Sequence, residues 1–244
     1  MQNTKIALIT GASSGIGREL AILLIGNGFR VIGTSRKISR LGDLSERFNE
    51  MFYAHELDVT DPESANSVIE RLPSELKSIE VLVNNAGSDI GGRQQFSKGN
   101  LDNWLNTIEA NVNGVIRVTH AVIQGMVARN HGDIINIGST SGLEPVPGTT
   151  AYSASKHAIN GFSESLRKEH EDSDIRIMQV LPGMVRTQFA AARFGDTDKG
   201  EDFYDNFGKW LNPEDVANSV VFALKQPRHV VIPQLVIVPK TRDT

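Results

Sequence analysis

A tyrosine and a lysine lie four residues apart in the segment YSASK, residues 152–156. On a helix, this spacing places the phenol of Tyr152 and the ammonium of Lys156 on one face, one turn apart. A free tyrosine titrates near 10, so roughly one phenol in a thousand is ionised at neutral pH. A lysine at ~4 Å favours the phenolate by about 4 kcal/mol at an effective dielectric of about 20, or roughly three pKa units. The pair could therefore make Tyr152 a working acid and base, although many helices carry this spacing by chance.

A glycine-rich turn follows the first apolar run. The segment TGASSGIG, residues 10–17, lies between the strand-like IALIT and a helix-like stretch. Glycines let the backbone approach a pyrophosphate, and the first N–H groups and the dipole of the next helix favour the anion. The spacing of Gly11, Gly15 and Gly17 departs from the Gly-x-Gly-x-x-Gly pattern, so a purely structural turn is the alternative. The position between strand and helix favours nucleotide binding.

The residues at the end of the second apolar run indicate which nucleotide is bound. A carboxylate at this place binds the two ribose hydroxyls of NAD. This chain instead has Ser35, Arg36 and Lys37. A guanidinium pairs with a phosphate through two charge-assisted bonds, so we expect NADP(H) to be preferred over NAD(H). The alternative is a solvated, basic start of a helix.

Strand-like and helix-like segments alternate along the whole chain. The predicted strands are residues 5–10, 30–34, 53–57, 81–83, 133–137, 175–181 and 230–238. The predicted helices are residues 18–26, 62–72, 101–129, 151–169 and 213–224. This alternation is typical of an α/β protein with a parallel sheet covered on both faces. No linker or repeat divides the 244 residues, so a single domain, 1–244, is expected.

The composition excludes several classes of protein. The net charge is −4 and the basic residues are scattered, which argues against nucleic acid as a partner and favours a small molecule. Cysteine is absent, which excludes thiol catalysis and disulfides, and no metal site is expected. The N-terminus lacks the pattern of a signal peptide, and no apolar run reaches membrane-spanning length. We therefore expect a cytoplasmic protein with no membrane contact.

Taken together, the motifs resemble those of the short-chain dehydrogenase/reductase family over nearly the whole chain. TGASSGIG is similar to its cofactor turn and YSASK to its active-site pair, and between them lie DV and NNAG, the latter at residues 84–87. Ser139 lies thirteen residues before Tyr152, and Asn111 lies where the family places its catalytic asparagine. PGMVRT, residues 182–187, is similar to the segment that flanks the nicotinamide.

The resemblance implies a fold and a set of roles. The fold is a doubly wound Rossmann sheet of seven parallel strands, with the active site beyond the carboxyl ends of the strands. Tyr152 would donate a proton to the carbonyl oxygen as hydride arrives from the nicotinamide. Lys156 would favour the phenolate and hold the ribose, and Ser139 would bond the substrate oxygen. Asn111 would hold a water that connects Lys156 to solvent.

The same resemblance implies the contacts of the cofactor. The residues expected to bind NADP(H) are Gly11, Ser13, Ser14, Gly15, Ile16, Gly17, Ser35, Arg36, Asp58, Val59, Asn85, Ala86, Gly87, Tyr152, Lys156, Pro182, Gly183, Val185 and Thr187. Two positions have a structural alternative. Asp58 could cap the turn that follows it. Asn84 is expected to be mainly structural.

Substrate recognition is expected in two segments that both look polar and irregular, the loop after NNAG and a lid at about residues 187–210. Arg93, Arg186 or Arg193 could hold an anionic group of a small substrate, and solvated loop arginines are the alternative. With Ser139 and Tyr152, we take Arg93 and Arg193 as substrate candidates. The segments MVARNHGDIINIGSTSG and ARFGDTDKG are similar to a subgroup of NADP-dependent serine or 3-hydroxy acid dehydrogenases, which implies a small polar hydroxy acid or semialdehyde.

The alternative substrates are larger uncharged ketones or 3-oxoacyl compounds. A protein that binds NADP(H) without turnover would not need Ser139, Tyr152 and Lys156 together. An epimerase would turn over without net change of the nicotinamide, and its relatives have a different glycine spacing and a longer substrate domain. An NADP-dependent oxidoreductase is therefore the preferred interpretation.

Helices of this family pair between subunits, so the resemblance implies a homotetramer or homodimer. Small and apolar residues that look exposed on the predicted helices 101–129 and 151–169 are Val115, Val118, Val122, Ala151, Ala158 and Phe162. Ordinary core contacts are the alternative use of these side chains.

Overall fold

The sheet is the frame that positions everything else. A computed structural model describes residues 4–240, and there seven parallel strands form one sheet in the order β3-β2-β1-β4-β5-β6-β7. The strands are β1 (Ile6–Ile9), β2 (Arg30–Ser35), β3 (Phe52–Glu56), β4 (Val81–Asn84), β5 (Gly132–Ile137), β6 (Ile175–Pro182) and β7 (Gln234–Ile237). This confirms the expected doubly wound sheet in a single domain. The strand order reverses between β1 and β4, and such a switch point opens a crevice at the carboxyl ends of the strands.

Helices cover both faces of the sheet. The helices are α1 (Gly15–Gly26), α2 (Gly42–Phe48), α3 (Pro62–Asn66), α4 (Leu101–Ile108), α5 (Gly114–Arg129), α6 (Thr150–Glu169), α7 (Phe189–Phe194), α8 (Thr197–Phe207) and α9 (Pro213–Leu224). Successive strand residues point to opposite faces. Ile9 therefore packs in a core with α1, α2 and α9, and its neighbour Leu8 packs in a second core with α5.

Three of the predicted elements differ most from the sequence-based expectation, and α2 was not predicted. The predicted helix 101–129 is interrupted by a wider π-helical turn, Glu109–Asn113, between α4 and α5. The predicted helix 62–72 is α-helical only in α3, and residues 67–71 continue as hydrogen-bonded turns. The last strand starts late, because Pro233 has no N–H to contribute to the sheet.

The lid segment, residues 187–210, is not irregular as expected. It forms the helical pair α7 and α8. The side chain of Asp196 caps α8 by accepting bonds from the N–H groups of residues 198 and 199 at 3.0 and 3.2 Å. Gly195 and Gly208 end the two helices with φ of 64° and 80°, a region that glycine adopts without strain.

Several helix residues that look exposed in the sequence are core residues. Val115, Val118, Val122 and Ala151 are buried, so the alternative of ordinary core contacts is correct for these four. Ala158 is exposed and Phe162 is half-buried. Other apolar side chains lie on the outside of α4 and α5, among them Leu101, Leu105, Ile116 and Val127. Within residues 4–240, no helix combines the length and the apolar character that a membrane crossing requires.

Candidate active site

The glycine-rich turn lies at the crevice, directly after β1. Gly11 and Gly15 have φ of 70° and 53°, and a Cβ on Gly17 would lie 2.4 Å from the carbonyl oxygen of Gly11. Only glycine therefore allows this close turn. The hydroxyl of Ser14, at the start of α1, makes no capping bond, so it leaves the first N–H groups of the helix open to an anion. A cavity of about 410 Å³ borders the turn and is lined by Ser13, Ser14, Gly15, Arg18, Glu19, Arg186, Thr187, Gln188 and Pro213.

The loop after β4 is bonded to this turn from the other side of the crevice. The hydroxyl of Thr10 accepts bonds from the backbone N–H groups of Asn85 and Ala86, both at 2.9 Å. The Asn85 amide donates to the carbonyls of Thr10 and Gly11 at 2.9 and 3.1 Å. The two expected cofactor segments are thereby held as one rigid unit. Thr10 was not among the predicted residues, although it is the first residue of the TGASSGIG motif.

Asn84 has the structural surroundings expected for it. Its amide donates to Asn136 Oδ1 at 2.8 Å and to the Thr119 hydroxyl at 2.9 Å. Asn136 in turn donates to the Ser163 hydroxyl at 2.7 Å. This chain of buried bonds ties β4 and β5 to α5 and to α6, and α6 carries Tyr152 and Lys156.

Ser139, Tyr152 and Lys156 come together beyond the end of β5. Ser139 follows this strand, and Tyr152 and Lys156 lie on α6 with the ammonium 5.7 Å from the centre of the phenol ring. Lys156 Nζ donates to the carbonyl of Ile137 at 3.0 Å. Burial lowers the pKa of Lys156 to about 8. The helix thus places phenol and ammonium on one face, as the spacing predicts.

The electrostatics of Tyr152 differ from the expectation. Burial raises the pKa of its phenol above the ordinary value, and the hydroxyl of Ser139 and the charge of Arg193 only oppose that rise. The prediction that Lys156 brings the phenol near neutrality is therefore wrong for this arrangement. The reason is that burial disfavours the charged forms of both groups.

Asn111 lies in the π-helical turn and is buried. Its Oδ1 accepts from the backbone N–H of Ser88 at 2.7 Å, and its amide donates to the Ser88 carbonyl at 2.8 Å and to the Ser155 hydroxyl at 3.0 Å. A Cβ on Gly87 would lie 2.9 Å from Asn111 Oδ1 and 3.9 Å from Lys156 Nζ. The asparagine thus holds the loop after β4 close to Lys156, a contact that the sequence did not indicate.

The ends of β2 and β3 carry the residues expected at the adenosine. Ser35 is buried and its hydroxyl accepts from the N–H of Lys37 at 3.2 Å, whereas the side chain of Arg36 is exposed. Asp58 accepts from the N–H and the hydroxyl of Thr60 at 2.9 and 2.7 Å. It therefore caps the following turn, which was the structural alternative, and Val59 packs against Gly114 at the start of α5.

The segment after β6 leads into α7. Gly183 donates its N–H to the carbonyl of Ile237 at 2.8 Å, and Val185 forms a parallel bridge with Leu211. The Tyr204 hydroxyl donates to the carbonyl of Thr187 at 3.1 Å, and so fixes Thr187 beside the glycine-rich turn. Pro182 ends β6, and Ile16 packs against the core on the α1 side.

The three candidate arginines lie in different surroundings. Arg186 pairs with Glu201 on α8, stacks 4.6 Å from the ring centre of Trp210 and lines the cavity at the glycine-rich turn. Arg193 instead lies 5.8 Å from the ring centre of Tyr152. Arg93 is exposed and lies 5.2 Å from the ring centre of Phe203, which Arg193 also contacts at 5.7 Å.

A buried carboxylate that sequence reasoning missed lies among these arginines. Asp89 Oδ2 is 2.8 Å from Arg193 Nε, and both side chains are less than a tenth exposed. Burial raises the pKa of Asp89, while the charges of Arg193 and Arg93 oppose the rise. The partial burial of its side chain and the charge of Arg193 lower the pKa of Arg93. The position of Asp89 just after NNAG was the only signal in the sequence.

The family model of the short chain dehydrogenases matches residues 5–198. Together with the doubly wound sheet and the arrangement of Ser139, Tyr152 and Lys156, this match shows that the chain belongs to the short-chain dehydrogenase family. It is an oxidoreductase of that family.

Its relatives define a narrower group. The NADP-dependent 3-hydroxy acid dehydrogenase YdfG of Escherichia coli strain K12 is 38% identical over 240 residues, which are 98% of this chain and 96% of the relative. The NADP-dependent 3-hydroxy acid dehydrogenase of Schizosaccharomyces pombe is also 38% identical, over 96% of this chain and 92% of the relative. A closed form of serine dehydrogenase complexed with NADP+ superposes with a TM-score of 0.91 at 38% identity, over 95% of this chain and 94% of that chain.

Proposed function

We propose that this protein is an NADP(H)-dependent oxidoreductase that interconverts a small hydroxy acid and the corresponding carbonyl compound, with Tyr152 as general acid and base. One observation carries the substrate class. The guanidinium of Arg193 lies 5.8 Å from the ring centre of Tyr152, so a cation that suits a carboxylate adjoins the proton donor. The relatives named for 3-hydroxy acids and for serine support the same class.

The cofactor segments fit a dinucleotide with a 2′-phosphate. The close turn at Gly11 and Gly17 and the open N–H groups at the start of α1 suit a pyrophosphate. After β2, Ser35 and the exposed Arg36 offer a hydroxyl and a guanidinium and no carboxylate, which suits a phosphate. Bound NADP(H) supplies or accepts the hydride. The remaining expected cofactor contacts, from Ser13 through Thr187, are proposals of the same kind.

The residues of the chain move and stabilise the proton and the charge. Burial keeps the phenol of Tyr152 protonated, so the phenol can donate a proton to a carbonyl oxygen in the direction of reduction. The Ser139 hydroxyl, which interacts with the phenol, donates to the same oxygen as negative charge builds on it. Lys156 offers a charge close to Gly87 and the cofactor loop. Asn111 remains our proposal for the residue that links Lys156 to solvent through a water.

The carboxylate of the substrate pairs with Arg193, and Arg93 lies close by, since both guanidiniums adjoin the ring of Phe203. Phe189 packs against Tyr152 with ring centres 5.9 Å apart, and α7 thereby forms a wall of the site. We propose that residues 187–210 are the substrate lid. A homotetramer and a cytoplasmic location stay predictions, and light scattering at micromolar concentration can test the first.

The experiment compares Tyr152→Phe with the wild type, with NADPH and a 3-oxo acid as substrates. We expect kcat/KM to fall by about 10²–10⁴-fold, because the ring stays and the proton is lost. Tyr53→Phe, at a tyrosine on β3, is the matched control and leaves activity unchanged. Residual activity within tenfold of the wild type would contradict the role of Tyr152. In the wild type, a kcat/KM with NADH equal to or above that with NADPH would contradict the cofactor preference.

A further inference from the structure

Asp89 places a negative charge inside a site that is otherwise built for anions. It lies in the loop after β4, with its carboxylate 2.8 Å from Arg193 Nε. The three charged groups form one cluster, because Asp89 contacts Arg193, and the guanidiniums of Arg193 and Arg93 lie 5.7 and 5.2 Å from the centre of the same ring, that of Phe203. The charge of Arg193 lowers the pKa of Tyr152, whereas the charge of Asp89 raises it. The carboxylate is therefore close enough to affect a charged substrate beside the phenol.

Asp89 also keeps Arg193 in place. Within residues 4–240, Asp89 is the single ionic partner of Arg193. The carbonyl of Arg193 accepts from the N–H of Gly91 at 3.2 Å, so backbone and side chain of Arg193 are both held by the loop after β4. The other neighbours of the guanidinium are the rings of Tyr152, Phe189 and Phe203, at 5.3 to 5.8 Å.

The charges of this cluster sum to one positive unit. Arg93 and Arg193 contribute two positive charges and Asp89 contributes one negative charge. A substrate with one carboxylate leaves the cluster neutral, whereas a second carboxylate would meet Asp89 without a free cation. A buried charge without a partner is costly, so this balance selects between ligands.

We propose that Asp89 is a specificity-determining residue, which positions Arg193 and restricts the site to substrates that carry a single negative charge. This inference rests on the proposed function, in which a carboxylate pairs with Arg193. It concerns the charge of the substrate, which the hydroxy acid class leaves open.

The test uses Asp89→Asn, which removes the charge and keeps the volume and an oxygen acceptor. We compare kcat/KM with NADP for 3-hydroxyhexanoate, a monoanion, and 3-hydroxyglutarate, a dianion of similar length. One unit of charge at roughly 10 Å and an effective dielectric of about 20 corresponds to about a tenfold change. We expect the dianion-to-monoanion ratio to rise about tenfold in the variant. The neutral methyl 3-hydroxybutyrate serves as reference and changes by less than about twofold.

A second variant, which removes a charge of the opposite sign, tests the same cluster if Asp89→Asn does not fold. Arg93→Gln, at an exposed position, removes a positive charge, and we expect the monoanion to lose about tenfold relative to the neutral ester. Unchanged charge ratios in the folded variants would overturn the role of the cluster. If the wild type oxidised none of the hydroxy acids, the proposed function itself would fail. Turnover in the wild type with an unchanged ratio in Asp89→Asn would reject Asp89 alone.

Discussion

Two buried pairs of arginine and aspartate lie at opposite ends of the sheet, and they differ in how far their hydrogen-bonding groups are used. At the amino ends of the strands, Arg176 on β6 pairs with Asp133 on β5 through bonds of 2.6 and 3.0 Å. Its remaining N–H groups donate to carbonyls at and after the end of α9, namely those of Leu224, Gln226, Pro227 and Val230. At the carboxyl ends, Arg193 has Asp89 as its ionic partner and aromatic rings around it.

The difference separates a structural ion pair from one suited to a ligand. The guanidinium of Arg176 satisfies carbonyls that α9 cannot satisfy itself, and so it connects the last helix to the sheet. Arg228 adds a second cation at Asp133, at 2.8 Å, which completes the network. Arg193 has donors to spare beside the phenol of Tyr152. Since buried donors are normally paired, the unequal use of the two guanidiniums supports our proposal that Arg193, and not Arg176, binds the substrate.

The largest effect on stability is expected at the amino ends of the strands, at the pair of Arg176 and Asp133. We expect Arg176→Met to lower the free energy of unfolding by about 3–5 kcal/mol, because it leaves several carbonyls without their donor and Asp133 with only the partly exposed Arg228 as a cation. Urea denaturation measures the loss. Arg228→Met is the matched control at a partly exposed position, and we expect about 1 kcal/mol or less. Equal losses of unfolding free energy in the two variants would show that the buried Arg176 is no more important for stability than the partly exposed Arg228.

The next effect concerns Lys156, a buried cation at the carboxyl end. Its pKa of about 8 in the fold, against 10.5 in the unfolded chain, means that its charged form opposes folding below pH 8. We expect Lys156→Met to abolish activity and yet to stabilise the fold at pH 7 by up to about 3 kcal/mol. The advantage over the wild type shrinks as the pH rises from 8 to 10.5, because the wild-type lysine then becomes neutral in both states. Urea denaturation at pH 7 and pH 10 measures it, and a constant difference would contradict the assigned burial effect.

The smallest effect on stability is expected at Arg193. We expect Arg193→Met to cost about 2 kcal/mol of unfolding free energy, less than Arg176→Met, because it leaves no carbonyl unsatisfied and because the Asp89 carboxyl, whose pKa burial already raises, takes up a proton once its ionic partner is gone. The same substitution lowers kcat/KM for a hydroxy acid by roughly 30-fold, the value of one charge-assisted hydrogen bond to a carboxylate. Steady-state kinetics of Arg193→Met and Arg176→Met, measured side by side, gives the comparison of activities. A stability loss as large as that of Arg176→Met, with activity retained, would make the two pairs equivalent.

Much of this arrangement is predictable from local patterns. The alternation of apolar runs and helical periodicity predicts the seven strands, because each buried strand and amphipathic helix has its own period. The positions of Gly11, Ser139, Tyr152 and Lys156 in their motifs place them at strand ends or on one helix face. The helices in residues 187–210 were missed. Their stabilising contacts are aromatic contacts between Phe194, Phe203 and Tyr204, and the sequence there has no periodic pattern that predicts these contacts.

From the amino-acid order alone follow the family, the sheet and the set of chemical groups, because these depend on motifs of a few residues and on their spacing. The packing of distant segments decided the rest. It brought Asp89 from the loop after β4 to Arg193 on α7 and separated Arg186 from Arg193. It also buried Lys156 and enclosed the phenol of Tyr152, which shifts both pKa values against the charged forms. Burial and ion pairing depend on distances between residues far apart in the chain, and only the folded structure contains those distances.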